Sequence, residues 1–298
     1  MTALMHRKPS LGRRLALARA RLSARLLGGL PPSLARGAYP AYAPVRTMGL
    51  SFPNPLGIAA GFDKQGALGR EAGALGFGSI EVGTLGPQEA SVCLAGARSP
   101  DSAGTILGVS IGMDPQSVPR QACHDYLEGL RSVWNQADYV AINLCSRQAA
   151  ALLHPSHDEL LEELLVALKQ EQRALTVLSG RYVPLAVKVK LSLEGLALPP
   201  VVTRLAALRF DALTAAIDPG PPATPQRYVE WQAPQRQRQA CQWIDRLAVE
   251  LAGRLPIIAV GGIRSAWHVS ERLRAGATLV QLHNALVYEG PRVALGKI

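Results

Sequence analysis

Eight short apolar runs, separated by stretches of helical periodicity, limit what this chain can fold into. They are residues 56–61, 78–83, 106–111, 139–144, 184–189, 212–217, 256–260 and 279–282, each bounded by Gly, Pro or polar residues. Runs this short and this continuously apolar suit parallel strands buried on both faces. Helical patterns fill the intervals. Ser156 and Glu159 form a capping-box pair ahead of Leu160, Leu161, Leu164, Leu165 and Leu168, and another helix starts near Ser265 and stops at Gly276. Strands alternating with helices mean an α/β fold, and eight of them predict closure into a (β/α)8 TIM barrel. Residues 218–226, DPGPPATPQ, hold four prolines and read as a loop after the sixth strand, on the face where barrels carry their chemistry.

The 298 residues are 48% hydrophobic, which suits one large core and excludes a disordered chain. No run approaches the ~18 uninterrupted apolar residues of a membrane-spanning helix. Charge divides the chain in two. Residues 1–48 hold nine Lys and Arg and no acid, whereas the rest holds 23 basic and 22 acidic residues. The formal +10 is therefore an N-terminal property, and the body lacks the spread of positive charge that a nucleic-acid binder needs. We accordingly divide the chain into a basic amphipathic extension, 1–46, and a barrel domain, 47–298. Within the extension, Leu11 to Leu27 reads as a helix with Leu15, Leu22 and Leu26 on one side and Arg14, Arg21 and Arg25 alongside, stopped by Gly28-Gly29. Three roles fit it: a peripheral contact with an anionic membrane, a helix packed on the barrel, or a cleaved transit peptide. The cysteines are scattered without a C-x-x-C pair, which fits a reducing cytoplasmic compartment and gives no support to a metal site.

Barrel chemistry belongs at the C-terminal strand ends. The first strand runs into Ala60-Gly61-Phe62-Asp63-Lys64, where small residues let a flat ligand approach the backbone. The second ends in Gly83-Thr84, and the fourth in Asn143-Leu144-Cys145-Ser146. The fifth carries Lys188 inside LAVKVK, where a lysine calls for an anionic or strongly accepting partner, unless it forms a structural ion pair or reaches solvent. Gly261-Gly262 after the seventh strand, with a helix following, makes an anion cradle in the usual phosphate position of such barrels. The eighth strand flows into His283-Asn284-Ala285. His154, His157, Trp231, Trp243, Asp211 and Asp245 read as packing, surface or cap residues, although Trp231 follows the proline-rich loop and sits where it would cover a pocket.

Together NPLGIAAGFDK (Asn54–Lys64), GALGFGSIEVGT (Gly73–Thr84), YVAINLCS (Tyr139–Ser146), VPLAVKV (Val183–Val189) and LPIIAVGGIRS…AGATLVQLHNALVYEGP (Leu255–Pro291) resemble dihydroorotate dehydrogenases, most nearly the membrane-associated, quinone-using class. The resemblance implies an FMN over the barrel mouth, a dihydroorotate-like anion as substrate and a quinone as electron acceptor. It implies Ser146 as the catalytic base, and Asn143 and Lys64 as contacts to both flavin and substrate. Lys188 would lie beside the flavin ring. Ala60, Gly61, Thr84 and Asn284 would touch the cofactor, and Gly261 and Gly262 would hold its phosphate. Cys145 stands one residue before the family's base position and would point to the other side.

Several positions depart from the family pattern. The asparagine-rich substrate loop is replaced by RSPDSAGTILG at residues 98–108, and P-N-T after the base by Arg147-Gln148-Ala149. The end of the sixth strand reads Ala216-Ile217-Asp218-Pro219, the glycine-rich phosphate loop after it is missing, and Ser110 replaces a flavin-facing asparagine. The losses fall on substrate recognition, so two functions stay open. One is an FMN-dependent oxidoreductase of pyrimidine biosynthesis, cytoplasmic and peripheral on the inner face of the membrane. The other is a catalytically impaired barrel that binds flavin or a partner. Nucleic-acid binding through the basic arm lacks the stacking aromatics it would need.

Overall fold

The computed structural model describes residues 11–29, 42–90, 104–192, 197–217, 224–291 and 293. A hairpin, β1 (Val45–Thr47) and β2 (Leu50–Phe52), precedes the eight barrel strands. These are β3 (Leu56–Asp63), β4 (Ser79–Leu85), β5 (Ile106–Ile111), β6 (Tyr139–Asn143), β7 (Leu185–Lys190), β8 (Ala212–Ala216), β9 (Ile257–Val260) and β10 (Leu279–Leu282). They close in sequence order, β10 pairing with β3, and each neighbouring pair is parallel. The eight expected runs are thus the eight barrel strands, shifted at most a few residues at their ends.

Alternation along the strands explains how this sequence fills both sides of the wall. Val140, Ile142, Leu185, Val187, Val189 and Leu213 join the outer core with buried leucines of the helix Asp158–Ser179, whereas Tyr139, Ala141, Ala186, Ala212, Ile258 and Leu279 meet Met48 and Phe52 of the hairpin. The hairpin therefore closes the N-terminal end of the barrel. Its turn places Met48 at φ 54° and Gly49 at φ 71°, the backbone that a two-residue hairpin connection requires. The 46/47 boundary falls inside this hairpin.

The barrel interior is more polar than its sequence implies. Glu81 is fully buried, and its Oε1 accepts from Tyr139 Oη at 2.9 Å and from Gln281 Nε2 at 2.7 Å. The tyrosine lies flat over Gly108, where an added Cβ would sit 2.4 Å from the ring, so only glycine fits.

Two helix-start expectations divide. Ser265 caps the helix Ala266–Arg274 by accepting from His268 N at 3.3 Å. The Ser156–Glu159 box does not form. His154 caps a short 3-10 turn instead, Ser156 Oγ lies 2.8 Å from His154 Nδ1, and the helix begins at Asp158. Asp211 is likewise more than a surface acid. It accepts from Leu185 N, Gln172 and Tyr182, tying the helix Asp158–Ser179 to the start of β7.

Helix α1 (Leu11–Gly28) buries Ala16, Ala20 and Ala24 against the turn Gly69–Leu75 and the helix Asn284–Tyr288. Four of its leucines face outward, Leu11, Leu15, Leu22 and Leu26 being 71%, 51%, 61% and 66% exposed, whereas Leu17 and Leu27 pack partly buried against the core. The alanine line permits close approach to the barrel, which leaves these four leucines on the far face. No helix among the described residues is long and apolar enough to cross a membrane.

Candidate active site

Because all eight strands run parallel, their C-terminal ends share one mouth, and the residues singled out at those ends meet there. β6 and β7 pair with Asn143 in register with Lys188, and β7 and β8 pair Lys188 with Thr214. Lys188 lies between Val187 and Val189 of the outer core, so its own side chain turns into the barrel. It is partly buried, and none of the ion pairs among the described residues includes it. Beside it, Thr214 Oγ1 is buried without a hydrogen-bond partner. Lys64 stands exposed on the rim beyond β3.

Opposite the lysine, one hydroxyl ties three strand ends. Thr84 Oγ1 accepts from Asn143 Nδ2 at 2.8 Å and lies 3.0 Å from Ser110 Oγ. Asn143 Oδ1 accepts from Cys145 N at 2.9 Å, so both ends of the amide are held while its second N–H stays available to a ligand. Tyr126 donates to the carbonyl of Asn143 at 2.6 Å from the helix Ala122–Val133 and fixes the strand end from outside. Burial pushes this tyrosine well above its ordinary range, with Cys145 and Asp125 adding to the effect, so it remains a donor.

Ser146 is the N-cap of the short helix Arg147–Ala150, and its Oγ accepts from Ala149 N at 3.2 Å. Cys145 corrects its expected direction. Its side chain packs with Ala59, Ala216 and Val260 at the mouth, and Sγ lies 3.5 Å from Lys188 O. Burial pushes the thiol up to about 11 against the opposing pull of Lys188 and Lys190, so it is neutral near pH 7. The Gln148 amide donates to Pro115 O, in the segment after β5, at 2.7 Å.

At the turn after β9, Gly261 and Gly262 have φ of 116° and 68°, left-handed backbone that favours glycine. Gln237 Nε2 donates to the carbonyls of Gly262 and Trp231, both at 2.7 Å, while buried Arg272 donates to Gln237 Oε1 at 2.9 Å. Trp231 packs against this turn: a Cβ on Gly262 would lie 2.9 Å from Cε3 of its ring. Trp243 is a core residue, its indole donating to Ser192 O at 2.8 Å.

Two further residues bear on the β3 wall: His283, at the end of the eighth barrel strand, and Arg13, which a reading of strand ends misses. His283 lies beneath the β3 wall, its Nε2 3.3 Å from where a Gly61 Cβ would sit, edge-on to Phe62, with Nδ1 2.8 Å from Asn284 Oδ1. Burial lowers its pKa, helped by Lys188 and Arg13 and opposed by Asn284 and Gly61. Arg13, from α1, reaches the same wall from outside. Its sequence signal is its place on the Ala16–Ala20–Ala24 face, which the more conspicuous leucine pattern conceals. Residues 98–103, Asp218 and Pro219 lie outside the described residues.

The closed parallel barrel, with a clamped amide and, among the described residues, an unpaired lysine at its mouth, places the chain in the (β/α)8-barrel class. A family model described as dihydroorotate dehydrogenase matches residues 42–103 and 234–296. Curated relatives include dihydroorotate dehydrogenases (quinone) from Dechloromonas aromatica, 34% identical over 84% of this chain and 83% of the relative, and from Chromobacterium violaceum, 36% identical over 84% and 82%. Among solved structures, the ligand-free dihydroorotate dehydrogenase of Eimeria tenella superposes with a TM-score of 0.71 at 21% identity, covering 97% of this chain and 92% of that one. The chain belongs to the dihydroorotate dehydrogenase family. Ser110, residues 147–149 and residues 216–219, which depart from the family pattern, all fall in the stretch that the family model leaves unmatched.

Proposed function

We propose that this protein is an FMN-dependent oxidoreductase that takes a small anionic dihydropyrimidine acid and delivers electrons to a quinone. The observation that carries the reading is Lys188: a half-buried cation with no carboxylate partner among the described residues, in register with Asn143 at the barrel mouth that the small residues Ala59, Ala60 and Gly61 also border. An unpaired charge there is costly without an anionic ligand, and a flat anionic ring against small residues meets that need.

Lys188, Asn143, Thr84, Ala60, Gly61 and Asn284 would hold the ring end of FMN, and Gly261 and Gly262 its phosphate. When bound, FMN supplies the hydride acceptor and the link to the quinone. The chain's own contribution is proton handling and charge. Ser146 takes the proton from the substrate carbon, and the Ala149 N–H on its oxygen favours the deprotonated form. Lys64 and the free N–H of Asn143 orient the substrate carboxylate and ring. A fixed cation at position 188 favours negative charge accumulating at the mouth.

The outward leucines of α1, flanked by exposed Arg14 and Arg25, fit shallow contact with an anionic bilayer on the cytoplasmic side, where a lipid-dissolved quinone is accessible. A second reading, an impaired barrel that binds flavin without turnover, draws on Gln148 being engaged by Pro115 and on Trp231 filling the space over Gly262.

Anaerobic mixing of the flavin-loaded protein with dihydroorotate separates the two. Loss of the flavin absorption band with dihydroorotate, and its persistence in Ser146→Ala, supports the oxidoreductase. A yellow protein whose band survives a panel of dihydropyrimidine acids supports the impaired barrel.

A further inference from the structure

The first barrel strand does not close its own ladder. β3 pairs with β10 through Leu56, Gly57 and Ile58, and with β4 through Gly57, Ile58 and Asp63, with a register shift between. Residues 59–62 have no ladder partner, and Gly61 sits at φ 98°. Backbone carbonyls stranded in this way need a donor. Arg13 supplies it, its Nη1 lying 2.5 Å from Gly61 O and 3.4 Å from Phe62 O. The neighbouring Asp63 offers no donor, since its carboxylate only accepts, from the N–H groups of Ala67, Leu68 and Gly69. The bulge is thereby held between Arg13 outside and His283 inside.

We infer that Arg13 is a positioning residue for the cofactor wall: it fixes the β3 bulge that carries Ala60 and Gly61, making α1 part of the frame of the site. The connection to the cofactor rests on the flavin reading above, whereas the hold on the bulge does not. A planar guanidinium with several donors suits two successive carbonyls better than an ammonium does.

The test uses the full chain as wild type, Arg13→Ala, Arg13→Lys and Arg19→Ala, the last an exposed arginine of the same helix. Amide hydrogen exchange is followed at residues 60–63 against a reference in β7, together with FMN dissociation constants by fluorescence. Losing a charge-assisted hydrogen bond predicts exchange at residues 60–63 faster by roughly tenfold to a hundredfold in Arg13→Ala, with FMN bound more weakly by a similar factor. Arg13→Lys should fall between, and Arg19→Ala should match wild type. If Arg13→Ala loses protection throughout, Arg13→Lys decides by its local change. Faster exchange at the bulge in a protein that binds no FMN sustains the hold and removes the flavin reading. Unchanged exchange at residues 60–63 with β7 intact overturns the inference.

Discussion

Asn143 Nδ2 donates to Thr84 Oγ1 across 2.8 Å, bridging two strands that are not neighbours in the barrel. β5 lies between them, and its Ser110 hydroxyl approaches the same oxygen at 3.0 Å. One threonine thus satisfies polar groups from two other strands at the place where the barrel must open toward a ligand. Thr84→Val keeps the shape and removes the bridge, leaving Asn143 Nδ2 and the buried Ser110 Oγ unpaired. We expect a loss of ~1–3 kcal/mol in urea unfolding, with Thr84→Ser close to wild type. A valine variant as stable as wild type would show that the bridge carries no net energy.

Acid should weaken the fold through His268. Burial, together with Arg272 and Arg264, pushes this imidazole down to about 4 from its usual 6.5. A depressed histidine stays neutral when folded while the unfolded chain takes up a proton, so the unfolded state binds more protons between pH 4 and 6.5. Stability is therefore full above that window and falls as pH drops through it. In His268→Gln, whose side chain can still accept from Arg264 N, this part of the slope should flatten. Urea midpoints at several pH values test it, and equal slopes in both proteins would contradict it.

The strands were legible because burial on both faces writes itself as short apolar runs. The mouth residues were legible because the strand ends carry Asn143, Lys188 and Gly261-Gly262 directly. What escaped depends on contacts between distant segments. Arg13 meets Gly61 only after the chain closes on itself, and the direction of Cys145 follows from β6 ending at Asn143 and from Ser146 becoming a helix cap. The leucine pattern of α1 left open what the helix contacts, and it is the small alanines Ala16, Ala20 and Ala24 that pack on the barrel. Glu81 sat unnoticed in an apolar run, because nothing local announces its partners Tyr139 and Gln281, 58 and 200 positions away.

Gly262 and Trp231 should prove mutually dependent. A methyl at position 262 would meet the indole at 2.9 Å and Gln237 Nε2 at 3.2 Å, on backbone with φ 68°. Gly262→Ala should destabilise by ~1–3 kcal/mol through overpacking, and should shift the emission of the displaced tryptophan. Adding Trp231→Leu should recover part of the loss and not all of it, since the positive φ remains strained for alanine. Full additivity of the two changes in thermal unfolding would mean that the ring and the turn do not press on each other.

The outer face of α1 provides the test that separates lipid contact from folding. Leu15 and Leu22 are 51% and 61% exposed, and the helix holds itself to the barrel through Ala16, Ala20 and Ala24 on the opposite side. Replacing both leucines with glutamate should therefore cost little stability, within about 0.5 kcal/mol each as for ordinary surface changes. Binding to phosphatidylglycerol vesicles should collapse, because each change removes apolar contact and places a negative charge against an anionic surface. Cosedimentation reads the binding, and thermal unfolding reads the fold. Unchanged cosedimentation in the double variant would move the lipid contact elsewhere on the chain. Lost cosedimentation with lost stability would show instead that the leucines belong to the fold.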